Sequence, residues 1–259
     1  MNHISGDHLI KTIVLAFEMR DVSPAENDIL KFPAFLCRLP QHTRSEIGCD
    51  QPPALRCDAD ADCAGSAGTF KNFVLLEEAG AELLYFSPLH DKSLPSGVGG
   101  ILLGGGYPEL YASSLQANES MRASIKAAVK NGISVMAECG GFMYLQEKLT
   151  DRDAVSYEMC GAIKGECAYT GKLVRFGYGE FWAKAQSKEG LGLSGNFSIK
   201  GHEFHYFDST NNGLDFTAKK PLSSRSWNCM ISTPKMLAGF PHLYYRSNPE
   251  IVKWFLGSF

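Results

Sequence analysis

The sequence predicts an α/β fold: a mostly parallel sheet with helices on both faces and added antiparallel strands. Three observations carry this. Residues 12 to 149 alternate short apolar runs with helical patterns. Two of those runs, ending near residues 103 and 138, lead straight into glycines. Beyond residue 150 the pattern becomes glycine-rich, with aromatic and polar residues alternating.

The elements follow in order. "TIVLAFE" (12–18) is a short, partly β-branched apolar run, the mark of a buried strand. Residues 31–70 are rich in Pro, Cys, Asp, Ala and Gly and show no periodicity; they read as a disordered insertion. In "FKNFVLLEEAG", Phe73 and Leu76 or Glu77 have helical spacing and Gly80 supplies a stop. "AELLYFSPL" (81–89) and "GVGGILLGGGYPEL" (97–110) each contain a strand, the second running into three glycines. "NESMRASIKAAVKNG" (118–132) is an amphipathic helix with Asn118 as its N-cap and Asn131-Gly132 as its stop. "ISVMA" (133–137) is a buried strand, and "GFMYLQEKL" (141–149) returns to helix. "GKLVRFGYGEFWAKA" and "HEFHYFDS" predict antiparallel strands. The end reads as a strand, a loop and a helix capped by Asn248, with Ile251, Trp254 and Phe255 inward. The division is then 1–30, the first strand or a linker; 31–70, the insertion; and 71–259, the main domain.

The bulk numbers exclude several functions. The 259 residues are 44% hydrophobic and 20% charged, with a net charge of −3, so no basic field awaits nucleic acid or an anionic membrane. No apolar run approaches the ~20 residues that span a bilayer. The N-terminus "MNHISGDHLIKTIVLAF" lacks a basic n-region and a small-residue cleavage site, which predicts a cytoplasmic location. Without an export signal the eight cysteines are expected in a reducing compartment and so unpaired, and none falls in the C-x-x-C spacing of a metal centre.

"ISVMAECGGFMYL" (133–145) carries the chemistry. Cys139 stands at the carboxyl end of a strand, where open parallel sheets bind ligands. Ala137 and Gly141, two residues either side, are small, as a sharp strand-to-helix turn requires. The helix beyond points its amides at the sulfur, which favours an exposed, reactive thiolate. A small buried core residue is the bland alternative. In "LLGGGYPEL", Gly104, Gly105 and Gly106 let backbone amides approach a substrate; with Gly140 they can cradle an oxyanion. A tight turn is the alternative there. A thiol nucleophile needs a histidine base, and His202, His205 and His242 are candidates. Strand alternation puts His202 and His205 on opposite faces, and pattern alone leaves the choice open.

"GGYPELYASSLQANESMRASIKAAVKNGISVMAECGGFMYL", "TGKLVRFGYGEF", "GHEFHYFDS" and "HLYYRSNPE" occur in that order. Together they resemble the class I glutamine amidotransferase domain of the cobyrinate a,c-diamide synthase family, from about residue 73 to the end. The resemblance implies a flavodoxin-like, class I amidotransferase fold over residues 71–259. It makes Cys139 the nucleophile, His242 the base, and the amides of Gly106 and Gly140 the oxyanion donors, with Gly105 in the same loop. It places Glu138, His202, Glu203, His205 and Tyr244 near the site, without roles. It also implies glutamine as substrate and ammonia as product, passed to a corrinoid carboxylate activated by ATP. This chain lacks the family's P-loop synthetase half, so no cofactor is expected in it; ATP and magnesium belong to that half. The chain is then a fragment or a separate subunit. Gly104 replaces the family's usual proline. Tyr244 replaces a histidine, where many class I enzymes carry a glutamate that orients the base, which implies a weaker or differently oriented His242. Two other readings are a glutaminase subunit of another amide ligase, and an idle interaction protein on the same fold.

Overall fold

The computed structural model describes residues 11–16 and 63–257, with side chains from residue 71. The first half builds a parallel sheet. Strand β1 (Lys11–Ala16) is followed in the described residues by helix α1 (Cys63–Glu78), β2 (Ala81–Phe86) and β3 (Gly100–Leu103). A short 3₁₀ turn (Pro108–Tyr111), α2 (Ala112–Ala117) and α3 (Glu119–Lys130) lead to β4 (Ser134–Glu138) and α4 (Gly140–Leu145). Three antiparallel or mixed additions follow: β5 (Lys148–Thr150), β6 (Ser156–Glu158) and β7 (Glu166–Tyr169), then β8 (Arg175–Ala183), α5 (Ala185–Leu191) and β9 (Ser198–His205). The chain ends with β10 (Phe207–Ser209), β11 (Phe216–Lys219), β12 (Ser226–Cys229), β13 (Ile231–Thr233), β14 (Met236–Gly239), β15 (His242–Leu243) and α6 (Glu250–Gly257).

The central sheet runs β13-β14-β4-β3-β1-β2, parallel throughout except for β13, which folds back on β14. Alternation along β3 and β4 explains why every residue of these strands is apolar or buried. Ile101, Leu103, Val135 and Ala137 enter one apolar layer, with Leu115 of α2 and Met121 and Ile125 of α3. Leu102 and Met136 enter the other, with Ile251 and Phe255 of α6. The five-stranded sheet β12-β11-β8-β9-β15 joins this second layer through Phe181, Ile199 and Phe216. The four-stranded sheet β10-β7-β5-β6 joins the first through Leu149, Cys167 and Phe207.

Four expectations need correction. The predicted helix over 141–149 ends at Leu145, and Lys148–Thr150 is a strand beside β7. Gln146 is fully buried and its Oε1 accepts from Ser209 Oγ (2.9 Å), which fixes the chain in an extended exit. Asn118 precedes α3 but makes no side-chain cap; its Nδ2 donates to Pro88 O and Asp91 O (both 2.8 Å) and ties the helix start to the loop after β2. Helix α1 begins at Cys63, inside the predicted insertion; the two glycines of "CAGSAG" disfavour helix, so its local sequence does not announce this start. The rest of that insertion, with Cys37, Cys49 and Cys57, lies outside the described residues. The fourth correction concerns the Cys139 thiol and belongs to the site.

Candidate active site

The site assembles at the carboxyl ends of three neighbouring parallel strands, β3, β4 and β14. Cys139 follows β4 with φ 47° and ψ −106°, a conformation rare for a residue with a side chain. Holding it there costs on the order of 1–3 kcal/mol. Two backbone bonds offset this: Cys139 N–H donates to Gly239 O on β14 (2.8 Å), and Met143 N–H donates to Cys139 O (2.9 Å). The elbow therefore stands between two parallel strands and the first turn of α4.

Glycines let the loop after β3 close on the elbow. Gly141 N–H donates to Gly104 O (3.0 Å). A Cβ on Gly141 would lie 2.4 Å from Leu103 O, and one on Gly140 would lie 2.6 Å from Gly106 O. Leu103 O cannot move without β3 moving, whereas Gly106 lies in the loop after it. Gly141 is thus small because β3 passes close to it, rather than to face Ala137.

His242 arrives from the other side of the sheet, on β15. A Cβ on Gly105 would meet its Cε1 at 2.2 Å, so the imidazole rests on the glycine loop. The same ring stacks on His202, with centroids 4.7 Å and planes 7° apart, because His242 and His202 are register partners on β15 and β9. The alternation argument for the histidines holds. His205 faces the other way, stacks on Phe240 (4.0 Å), and its Nδ1 lies 2.7 Å from Phe207 O. Buried Glu203 stands 3.9 Å from His205 Nε2.

The electrostatics correct the expectation of an exposed thiolate. Cys139 is only 7% exposed. Burial, and then the negative field of Glu109, push its thiol far above the ordinary value; the Gly140 amide opposes this and Glu138 adds to it. A six-residue helix with a buried first turn does not outweigh that desolvation. Burial, with the fields of His202 and His205, lowers His242 to about 3. Both shifts favour the neutral form of each group in the resting site.

Glu138 and Tyr245 complete the neighbourhood. Glu138 Oε1 accepts from Tyr245 Oη–H (3.0 Å) and from Leu243 N–H (3.3 Å). Burial pushes its carboxyl up to about 8, against both hydrogen bonds. Tyr244, in contrast, is 38% exposed, and its N–H pairs with Lys200 O (2.8 Å). Sequence reasoning passed over Asn72, Tyr245 and Glu109. Asn72 Nδ2 donates to Leu243 O (2.7 Å) and its Oδ1 accepts from Tyr245 N–H (3.0 Å), links across 171 and 173 residues that no local pattern announces. Glu109 had a signal, an acid three residues after the glycine run. A groove of about 510 Å³ between Arg122, Lys126, Glu147 and Glu158 is lined by neither Cys139 nor His242.

Residues 66–243 match the CobB/CobQ-like glutamine amidotransferase domain. This chain belongs to that family. Its mostly parallel sheet with antiparallel additions is the mixed α/β architecture expected from the sequence. The cobyrinate a,c-diamide synthase of Caldanaerobacter subterraneus subsp. tengcongensis is 42% identical over 183 residues, covering 70% of this chain and 40% of that protein. The protein of the same name from Salmonella typhimurium is 37% identical over 191 residues, covering 72% and 41%. The chain thus spans about 40% of the length of these curated relatives. Among the described residues no helix is long and apolar enough to cross a membrane, and no cluster of His, Cys, Asp and Glu could hold a metal.

Proposed function

We propose that this chain is the glutaminase part of a cobyrinate a,c-diamide synthase. It would hydrolyse glutamine in the cytoplasm and supply ammonia for ATP-dependent amidation of corrinoid carboxylates. The observation that carries the reading is Cys139, held at φ 47° at a strand end, with His242 against the glycine loop that closes on Gly140 and Gly141. The names of the curated relatives support the corrinoid assignment over another amide ligase.

In this reading the Cys139 sulfur attacks the side-chain amide carbon of glutamine, and His242 takes the thiol proton as the C–S bond forms. His242, held neutral by burial, offers an unprotonated ring nitrogen to that proton. The amides of Gly106 and Gly140 stabilise the oxyanion. The tetrahedral adduct collapses as His242 protonates the departing nitrogen, leaving ammonia and a thioester. Water, deprotonated by His242, then hydrolyses the thioester to glutamate. A synthetase unit with ATP and magnesium would activate the acceptor carboxylate as an acyl phosphate and consume the ammonia.

The test is glutamate release by the chain together with a synthetase unit of a relative, and covalent labelling by a glutamine-like electrophile. Both should vanish in Cys139→Ser. Labelling unchanged in that variant would sink the assignment. Absence of glutaminase activity even with the synthetase unit supplied would favour an idle interaction protein.

A further inference from the structure

We infer that Glu138 is a positioning residue for the base. One buried carboxyl, adjacent in sequence to Cys139, fixes the strand that carries His242. The inference rests on the Cys139–His242 reading and gives the residue before the cysteine a task in it.

The backbone of His242 is weakly held by its own strand. It stands on β15, a strand of two residues at the end of its sheet, paired on one side with β9. A strand so short contributes few ladder bonds of its own. The next residue, Leu243, is held at both backbone groups by buried side chains. Its N–H donates to Glu138 Oε1 (3.3 Å), and its C=O accepts from Asn72 Nδ2 (2.7 Å). Tyr245, two residues on and 1% exposed, donates its hydroxyl to the same Glu138 oxygen (3.0 Å). Glu138 therefore clamps the His242 segment at two points.

The other end of the clamp is the nucleophile's own strand. Glu138 is the last residue of β4, in register with Gly239 on β14, whose carbonyl accepts from Cys139 N–H. A shift of β15 along its axis is thus resisted by an atom covalently one residue from the cysteine. Keeping a carboxyl 5% exposed is costly, as its rise to about 8 reflects, and packing alone would not select it. A fixed separation between sulfur and imidazole accounts for it. No proton transfer to substrate is assigned to Glu138; its two bonds reach the base through backbone.

The prediction separates positioning from bulk stability. Glu138→Gln keeps an acceptor oxygen for Leu243 N–H and Tyr245 Oη–H, and kcat for glutamine hydrolysis should stay within about threefold of the parent. Glu138→Ala should lower kcat about 10- to 100-fold with little change in KM, since about 1 Å of misplacement can cost a hundredfold. If the alanine variant fails to fold, Glu138→Leu keeps the buried volume, removes the acceptor and should show the same loss. The decisive readout is the rate of Cys139 alkylation by iodoacetamide in two backgrounds. Removing the clamp should slow alkylation when His242 is present and have no effect in His242→Ala. Equal slowing in both backgrounds, or a folded Glu138→Leu with parental kcat, would overturn the inference. Failure of the parent reading looks different: Cys139→Ser would keep glutaminase activity, whatever Glu138 does.

Discussion

The elbow around Cys139 and the arm carrying His242 are built in opposite ways. The elbow is a strand, a strained residue and a helix within a dozen positions, held by backbone bonds alone: Cys139 N–H to Gly239 O and Gly141 N–H to Gly104 O. Its closest neighbour, Leu103 O, is a backbone atom that cannot move without β3 moving. The arm is made of distant contacts. Its bonds to Glu138 and Asn72 span 105 and 171 residues, and its ring packs on another side chain. The difference teaches where each half can fail: the elbow through sterics, the arm through loss of alignment.

The sharpest test of the elbow is chemical. Cys139→Ser should cut glutaminase activity by roughly a thousandfold or more while leaving the melting temperature near the parent value. Steady-state glutamate release and a thermal melt decide it. Gly105→Ala tests the arm from the elbow's side. The new methyl would occupy the place of His242 Cε1, and Gly105 has no positive φ to strain. The ring must turn away, so kcat should fall about a hundredfold with the fold intact. Gly141→Ala should do the reverse. Its Cβ would press on Leu103 O at 2.4 Å, and a main chain between two parallel strands cannot yield. The loss should be about 3 kcal/mol of stability, read by denaturant titration. If the two glycine variants behaved alike, the contrast between the regions would collapse.

That contrast also explains what was legible in the sequence. The parallel sheet, the buried strand before Cys139 and the glycine loop follow from local periodicity, and they stand where expected. His242 needed the family resemblance, because three histidines competed and β15 has only two residues. The thiol's ionisation was misread because helix amides are visible in sequence, whereas burial and the Glu109 field arise only on folding. The helix boundary at Leu145 was missed for a related reason: Gln146 is fixed by Ser209, far along the chain. Glu138 had no role in sequence because both its partners lie beyond residue 242.

A smaller effect follows for Asn72, 3% exposed and bonded to Leu243 O and Tyr245 N–H. Asn72→Ala removes two buried hydrogen bonds on the arm and should cost about 2 kcal/mol. Activity should fall about tenfold, and the elbow's share of stability should be untouched. An activity loss as deep as that of Cys139→Ser would mean that the arm and elbow are one unit rather than two.

The smallest effect is in pH, and there the two regions pull in opposite directions. His242 is lowered to about 3 from an ordinary value near ~6.5, so between these values the unfolded chain binds more protons. Its contribution to stability is complete above pH ~6.5 and is lost as pH falls towards 3. Glu138 is raised to about 8 from ~4.3, so the folded chain binds more protons in between. Its contribution is complete below pH ~4.3 and is lost as pH rises through 8. The two slopes nearly cancel between about pH 4.3 and 6.5, leaving a plateau with a fall on either side. Denaturant titrations across this range should show that Glu138→Gln removes the alkaline fall and keeps the acid one. An alkaline fall surviving in that variant would mean that another group, rather than the carboxyl beside Cys139, ionises as the arm lets go.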